Sequence, residues 1–225
     1  MNAFWETLWI TFQLASITTV CLLLIGVPMA YWLSSTKSRS KPIFETLISM
    51  PLVLPPTVLG FYLLVAFNPQ SGLGGWLEDT LGWRLVFSFA GLVIGSVIYS
   101  LPFMVHPIQS GFEHLPKVYS EAAFTLGKSK WETLWYVLLP NIRPSILTGI
   151  VLSFAHTVGE FGVVLMLGGN IPGKTKVASI AIFDEVEGLN YALANQYALV
   201  LFAFAFTVLM VVYSINRGGI ISAFK

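Results

Sequence analysis

Residues 117–140, KVYSEAAFTLGKSKWETLWYVLLP, separate two long apolar runs, and the way they are read decides the fold. Residues 117–127 read as a short helix. Ser120 is the candidate N-cap, Glu121 stands near the positive end of the helix dipole, and Gly127 supplies a left-handed C-cap that turns the chain. Ala122 and Ala123 keep the helix surface low, so that another backbone can approach closely. Lys130 to Leu138 reads as a second amphipathic segment, with Trp131, Leu134, Trp135 and Leu138 at i, i+3, i+4, i+7 spacing, which predicts a helix lying at a membrane surface. Pro140 and Pro144 mark the break before the next apolar run. On composition alone the same residues also suit an ordinary connector anchored to lipid headgroups.

The surroundings of this loop place it in a bilayer protein. Of the 225 residues, 56% are hydrophobic and 10% are charged, and the mean hydropathy is +0.77, which excludes an ordinary soluble domain. Five apolar stretches, near 8–33, 43–67, 86–110, 145–168 and 196–215, are each long enough to cross about 30 Å of hydrocarbon. They predict an all-α polytopic membrane protein of about five transmembrane helices. Residues 1–225 read as a single transmembrane domain whose main polar loops are 111–138 and 169–195.

Lys and Arg are retained on the cytoplasmic side of short loops. With the N-terminus outside and the C-terminus inside, the inner segments hold Lys37, Arg39, Lys41, Lys117, Lys128, Lys130, Arg143, Arg217 and Lys225, and the outer ones hold Arg84, Lys174 and Lys176. That orientation puts the Glu121 loop in the cytoplasm. Trp5, Trp9, Trp32, Trp76, Trp83, Trp131 and Trp135 all fall at or beyond span ends, where indole prefers to sit. The first span lacks a basic region before it and carries its positive charges after it, which predicts a retained anchor rather than a cleaved signal. Cys21 is the only cysteine, so no internal disulfide can form.

The spacing Glu121-Ala122-Ala123, Gly127, Val137, Leu139, Pro140 resembles the cytoplasmic loop of membrane subunits in binding-protein-dependent ABC importers. The similarity is closest to permeases of the molybdate type and covers nearly the whole chain. Met50 to Gly60 (MPLVLPPTVLG), Gly159-Glu160-Phe161-Gly162 and Gly169 to Thr175 (GNIPGKT) also carry it. Val137 stands where that pattern most often has isoleucine. Sulfate and tungstate permeases share the general pattern.

The resemblance implies a type I importer fold in the inner membrane and a permease rather than an enzyme. It implies two copies of the chain forming a pathway at their interface, with ATPase subunits and an external oxyanion-binding protein as partners. The chain itself would hold no ATP, other cofactor or metal and would meet no nucleic acid. Glu121, Ala122, Ala123, Gly127, Leu139 and Pro140 would then belong to the coupling helices that dock into a cleft on the ATPase.

Other residues leave alternatives open. Pro51, Pro55 and Pro56, followed by Thr57, interrupt helical hydrogen bonding in the second span, and such breaks either line a pathway or kink a helix for packing. Glu160, between Gly159 and Gly162, is an acidic group within a span, which is costly unless it is partnered. His156 lies one turn earlier, suited to an i, i+4 pair that is structural, a proton relay or part of a metal site, for which two ligands fall short; a proton relay would point to a different class of protein. In that case the chain would be a self-sufficient channel or proton-coupled carrier. His106 and His114, with Glu113, read as interfacial side chains, since no Cys or Asp completes a metal set.

Residues 168–175, GGNIPGKT, satisfy the phosphate-loop expression, and Ile180 to Asp184 resembles the acidic strand that holds magnesium in such proteins. A phosphate loop, however, joins a buried strand to a helix. This segment follows an apolar span, and Pro172 removes one backbone N–H from any cradle. An outer loop whose lysines face an anion, weakened by Asp184, Glu185 and Glu187, is the better reading.

Overall fold

The computed structural model describes residues 3–216, and every regular element among them is helical. Helix α1 runs Ala3–Ser35, α2 Lys41–Val53, α3 Pro56–Ala66, α4 Gly72–Leu81, α5 Phe89–His114, α6 Val118–Thr125 and α7 Lys130–Thr133. A π-helical turn, Leu134–Leu138, leads into α8, Leu139–Asn141. It is followed by α9 Arg143–Val158, α10 Gly162–Gly168, α11 Ala178–Glu187 and α12 Tyr191–Asn216.

Helices α1 and α5 and residues Tyr191–Val211 of α12 are each long and apolar enough to cross a membrane unaided. The expected second span, 43–67, is not one rod: α2 and α3 meet at a bend of 112°. A residue before proline is pushed out of the helical region, and here two consecutive residues stand before prolines. Leu54 takes φ −69° and ψ 136°, and Pro55 takes φ −55° and ψ 135°. Pro28, Pro51, Pro102 and Pro107 stand singly and lie inside continuous helices.

The expected fourth span, 145–168, is likewise divided. Helix α9 stops at Val158, and α10 restarts at Gly162 after Gly159, Glu160 and Phe161. The loop 169–195, expected outside, is less irregular than its polarity suggested, because α11 folds within it and buries Ala178, Ile180 and Ala181.

Helices α1, α5 and α9 form the centre. Met104 of α5 sits between two glycines: a Cβ at Gly26 of α1 would lie 2.7 Å from its Cγ, and one at Gly149 of α9 would lie 3.1 Å from its Sδ. Small residues let helices close to packing distance where apolar burial alone gives no drive. At the basic end of the bundle Leu22, Leu33, Ile48, Ile108, Phe112, Leu134 and Ile142 share one core. At the other end Ile10, Leu14, Leu92, Val164 and Ile180 form a second core, and Leu8, Ala178 and Tyr197 a third. Helix α12 leaves Leu199, Phe202, Phe206, Leu209 and Met210 exposed, an apolar face suited to lipid. All seven tryptophans are exposed as well.

Candidate functional site

The loop after α5 folds by local rules. Leu115 is extended and Pro116 follows, so α5 ends at His114, whose Nδ1 donates to the Ser110 carbonyl at 2.7 Å. Helix α6 then begins one turn earlier than Ser120 suggested. Ser120 is inside it, and its hydroxyl donates back to the Lys117 carbonyl at 2.8 Å instead of capping the helix. Glu121 is exposed in the first turn, on the favourable side of the dipole.

Gly127 ends α6 as expected. Its φ is +77°, and the chain closes a full Schellman motif. The Lys128 N–H donates to the Ala123 carbonyl at 3.0 Å and the Gly127 N–H to the Phe124 carbonyl at 2.9 Å. The two alanines part company, since neighbours on a helix point about 100° apart. Ala122 is exposed, whereas Ala123 is buried against the loop. Val118, Tyr119, Phe124 and Leu126 are also exposed, so Glu121 and Ala122 sit within an uncovered apolar patch.

The second segment departs from its expected single face. Its start carries a capping box, signalled in the sequence by Ser129 followed three residues later by Glu132. Ser129 Oγ accepts from the Glu132 N–H at 3.2 Å, and Glu132 Oε2 accepts from the Ser129 N–H at 2.9 Å. After Thr133 the helix widens into the π turn, which shifts the register. Leu134 is buried in the core with Ile142, while Trp131 and Trp135 stay exposed, ring to ring at 5.7 Å. Leu139 packs on that core, and Pro140 lies in the first turn of α8.

The breaks in the two divided spans come together. A Cβ at Gly162 would lie 2.7 Å from Pro56 Cβ and 3.0 Å from the Thr57 nitrogen, and one at Gly60 would lie 2.9 Å from Met166 Cβ. The α3 and α10 backbones therefore touch through glycine. A cavity of about 400 Å³ beside this contact is lined by Pro56, Thr57, Tyr99, His156, Gly159, Glu160 and Gly162. Pro51 is buried in α2 away from it, and Pro55 is exposed at the bend.

His156 and Glu160 do not form the expected i, i+4 pair, because α9 has already ended between them. The His156 Nδ1 meets Ser100 Oγ at 2.9 Å, and its ring stacks on Phe103 at 4.0 Å. The Glu160 carboxyl is buried. Ser96 lies near it, yet among the described residues neither side chain closes a hydrogen bond. The Glu160 carbonyl accepts from Ser179 Oγ, which ties the break to α11. His106 Nε2 meets Ser49 Oγ at 3.1 Å, joining α5 to α2.

The phosphate-loop lookalike follows a helix, α10, rather than a strand. Thr175 is buried, donates to the Gly168 carbonyl at 2.7 Å and accepts from the Ile171 N–H at 2.9 Å, so its hydroxyl is committed to the loop. Lys176 Nζ is paired with Asp184 at 2.6 Å, which leaves Lys174 as the exposed cation there.

Residues 23–218 match the family of binding-protein-dependent transport system inner membrane components. The chain belongs to this family. Its membership accounts for the apolar helices and makes it a multi-pass inner-membrane component. It is 50% identical to the molybdenum transport system permease protein ModB of Azotobacter vinelandii over 92% of each chain. It is 32% identical to the sulfate transport system permease protein CysT of Escherichia coli over 85% of this chain and 68% of that one. Among solved structures, a bacterial alginate ABC transporter in complex with a substrate-bound periplasmic protein superposes with a TM-score of 0.77. That match has 16% identity and covers 97% of this chain and 80% of the other, a likeness of fold. The family's members are transport components rather than enzymes.

Proposed function

We propose that this inner membrane component is the subunit through which an ATP-driven importer carries molybdate inward. The observation that carries the reading is the 50% identity to a molybdenum transport permease over nearly the full length of both chains. In this reading two copies flank the pathway, ATPase subunits bind ATP and supply the energy, and an external binding protein delivers the oxyanion. Residues 118–127 are the docking element for the ATPase: Glu121 and Ala122 with the bare apolar patch form the contact, and the Gly127 turn fixes its angle. The cavity at the paired breaks belongs to the pathway wall. Sulfate is the second reading, supported by the 32% identity to a sulfate permease, with tungstate close to molybdate in chemistry.

Affinity purification of the tagged chain in mild detergent tests this. An ATPase subunit is expected to co-purify with the unaltered chain and to be lost from Glu121→Lys, because charge reversal opposes the α6 dipole and the contact together. Binding protein loaded with molybdate is expected to stimulate ATP hydrolysis more than binding protein loaded with sulfate. The absence of any ATPase partner for the unaltered chain would favour a self-sufficient carrier instead. Stimulation by sulfate alone would move the cargo to the second reading.

A further inference from the structure

Helix α2 is held differently on its two flanks. Of its 13 residues only Ile48 and Pro51 are buried. Towards α1 there is a gap of about 550 Å³, lined by apolar side chains that include Met29 and Trp32 of α1, Phe44 and Leu47 of α2, and Leu101 of α5, and bridged by the edge-to-face contact of Trp32 with Phe44, ring centroids 4.9 Å apart. Towards α5 it is tied by a ladder of polar contacts. Lys41 Nζ reaches Glu113 Oε1 at 3.1 Å and Glu45 Oε1 at 3.6 Å. Gln109 Nε2 donates to Glu45 Oε1 at 2.7 Å and to Glu113 Oε1 at 3.0 Å, and Ser49 Oγ meets His106 Nε2 at 3.1 Å. Gln109, 7% exposed, is the hub, and its own Oε1 is buried without a partner among the described residues.

Helix α2 is interrupted at both ends: a non-helical link, 36–40, precedes it and the Leu54–Pro55 break follows it. Helix α2 and the helix α5 to which it is tied each lead to one of the two candidate sites. Helix α5 passes through Leu115, Pro116 and Lys117 straight into α6, and α2 passes through the break into α3 at the cavity.

We propose that α2 is a moving arm, about 20 Å long, that carries the stroke of the ATPase from α6 to the pathway break, with Gln109 as the positioning residue that latches it to α5. This rests on the coupling reading given above. The arm has two arrangements, latched on α5 or swung into the gap against α1. The side chains of Lys41, Glu45 and Glu113 are 27%, 35% and 41% exposed, and ion pairs as wet as these are weak. The Lys41 pairs therefore open readily, and the cost of release within a transport cycle is set by the buried Gln109 contacts. Closing the gap exchanges loose contacts for close van der Waals packing of these side chains, which offsets the broken contacts.

The test uses the full transporter in a Cys21→Ser background with Ser49→Cys and His106→Cys, joined by a short bis-methanethiosulfonate, which forms a reducible disulfide with each cysteine and releases sulfinate. Cross-linking is expected to stop uptake and stimulated ATP hydrolysis while the ATPase stays bound, and reduction to restore both. A second variant, Gln109→Leu, is expected to raise ATP hydrolysis without binding protein about five- to tenfold and to lower the oxyanion moved per ATP. Full turnover of the cross-linked complex, or an unchanged transport-to-hydrolysis ratio in assembled Gln109→Leu, overturns the arm. Failure of the unaltered chain to bind any ATPase instead sinks the coupling reading on which the arm rests.

Discussion

At the residue scale, Gly127 is the clearest case of a position whose chemistry is dictated by its backbone. A Cβ placed there meets nothing within 4 Å, so the only obstacle to substitution is the φ of +77°. Gly127→Val should destabilise the loop by about 1–2 kcal/mol, the cost of a left-handed L-residue, and weaken ATPase retention in a pull-down. Gly127→Asn, which tolerates that region, should retain most of it. Equal losses in the two variants would mean that the turn does not set the docking angle. Gly127 was legible because glycine before a polar pair is a strong stop signal. Ser120 does not cap α6, because the helix already starts just after the extended Leu115 and Pro116.

At the element scale, the number and character of the apolar runs were legible, but their continuity was not. Hydropathy does not register where a helix stops if the residues at the stop are themselves apolar, as Leu54 and Phe161 are. The consecutive pre-proline positions were the signal for the first break. The second is fixed by packing between residues about a hundred positions apart. Gly162 must be glycine because α3 lies against it, whereas a Cβ at Gly159 would have its nearest neighbours at 3.7 and 3.8 Å. Gly162→Ala should therefore cost about 1–3 kcal/mol through overpacking, read as a lowered Tm in detergent, and Gly159→Ala should be close to neutral. If Gly159→Ala is the more damaging, the α3–α10 contact is not what holds the break. The π turn after Thr133 belongs with these misses, since a 3.6-residue period carries no warning of an inserted residue.

At the scale of the whole molecule, the remaining question is which end faces the cytoplasm, and charge bears on it directly. Arg217 and Lys225 lie outside the described residues. The loop ends that carry Lys37, Arg39, Lys41, Lys117, Lys128, Lys130 and Arg143 are opposed by Arg84, Lys174 and Lys176 at the other end, where Asp184 already neutralises Lys176. Retention of basic loops inside is then expected to put α6 within reach of an ATPase and Gly72, at the start of α4, outside. In a Cys21→Ser background, Gly72→Cys and Ser38→Cys test this without altering any charge, because a Cβ at Gly72 meets nothing within 4 Å and Ser38 is exposed. A membrane-impermeant maleimide should label Gly72→Cys in intact cells and Ser38→Cys only after permeabilisation. The opposite pattern would leave α6 on the side without ATP, and the docking role of Glu121 would fall with the orientation.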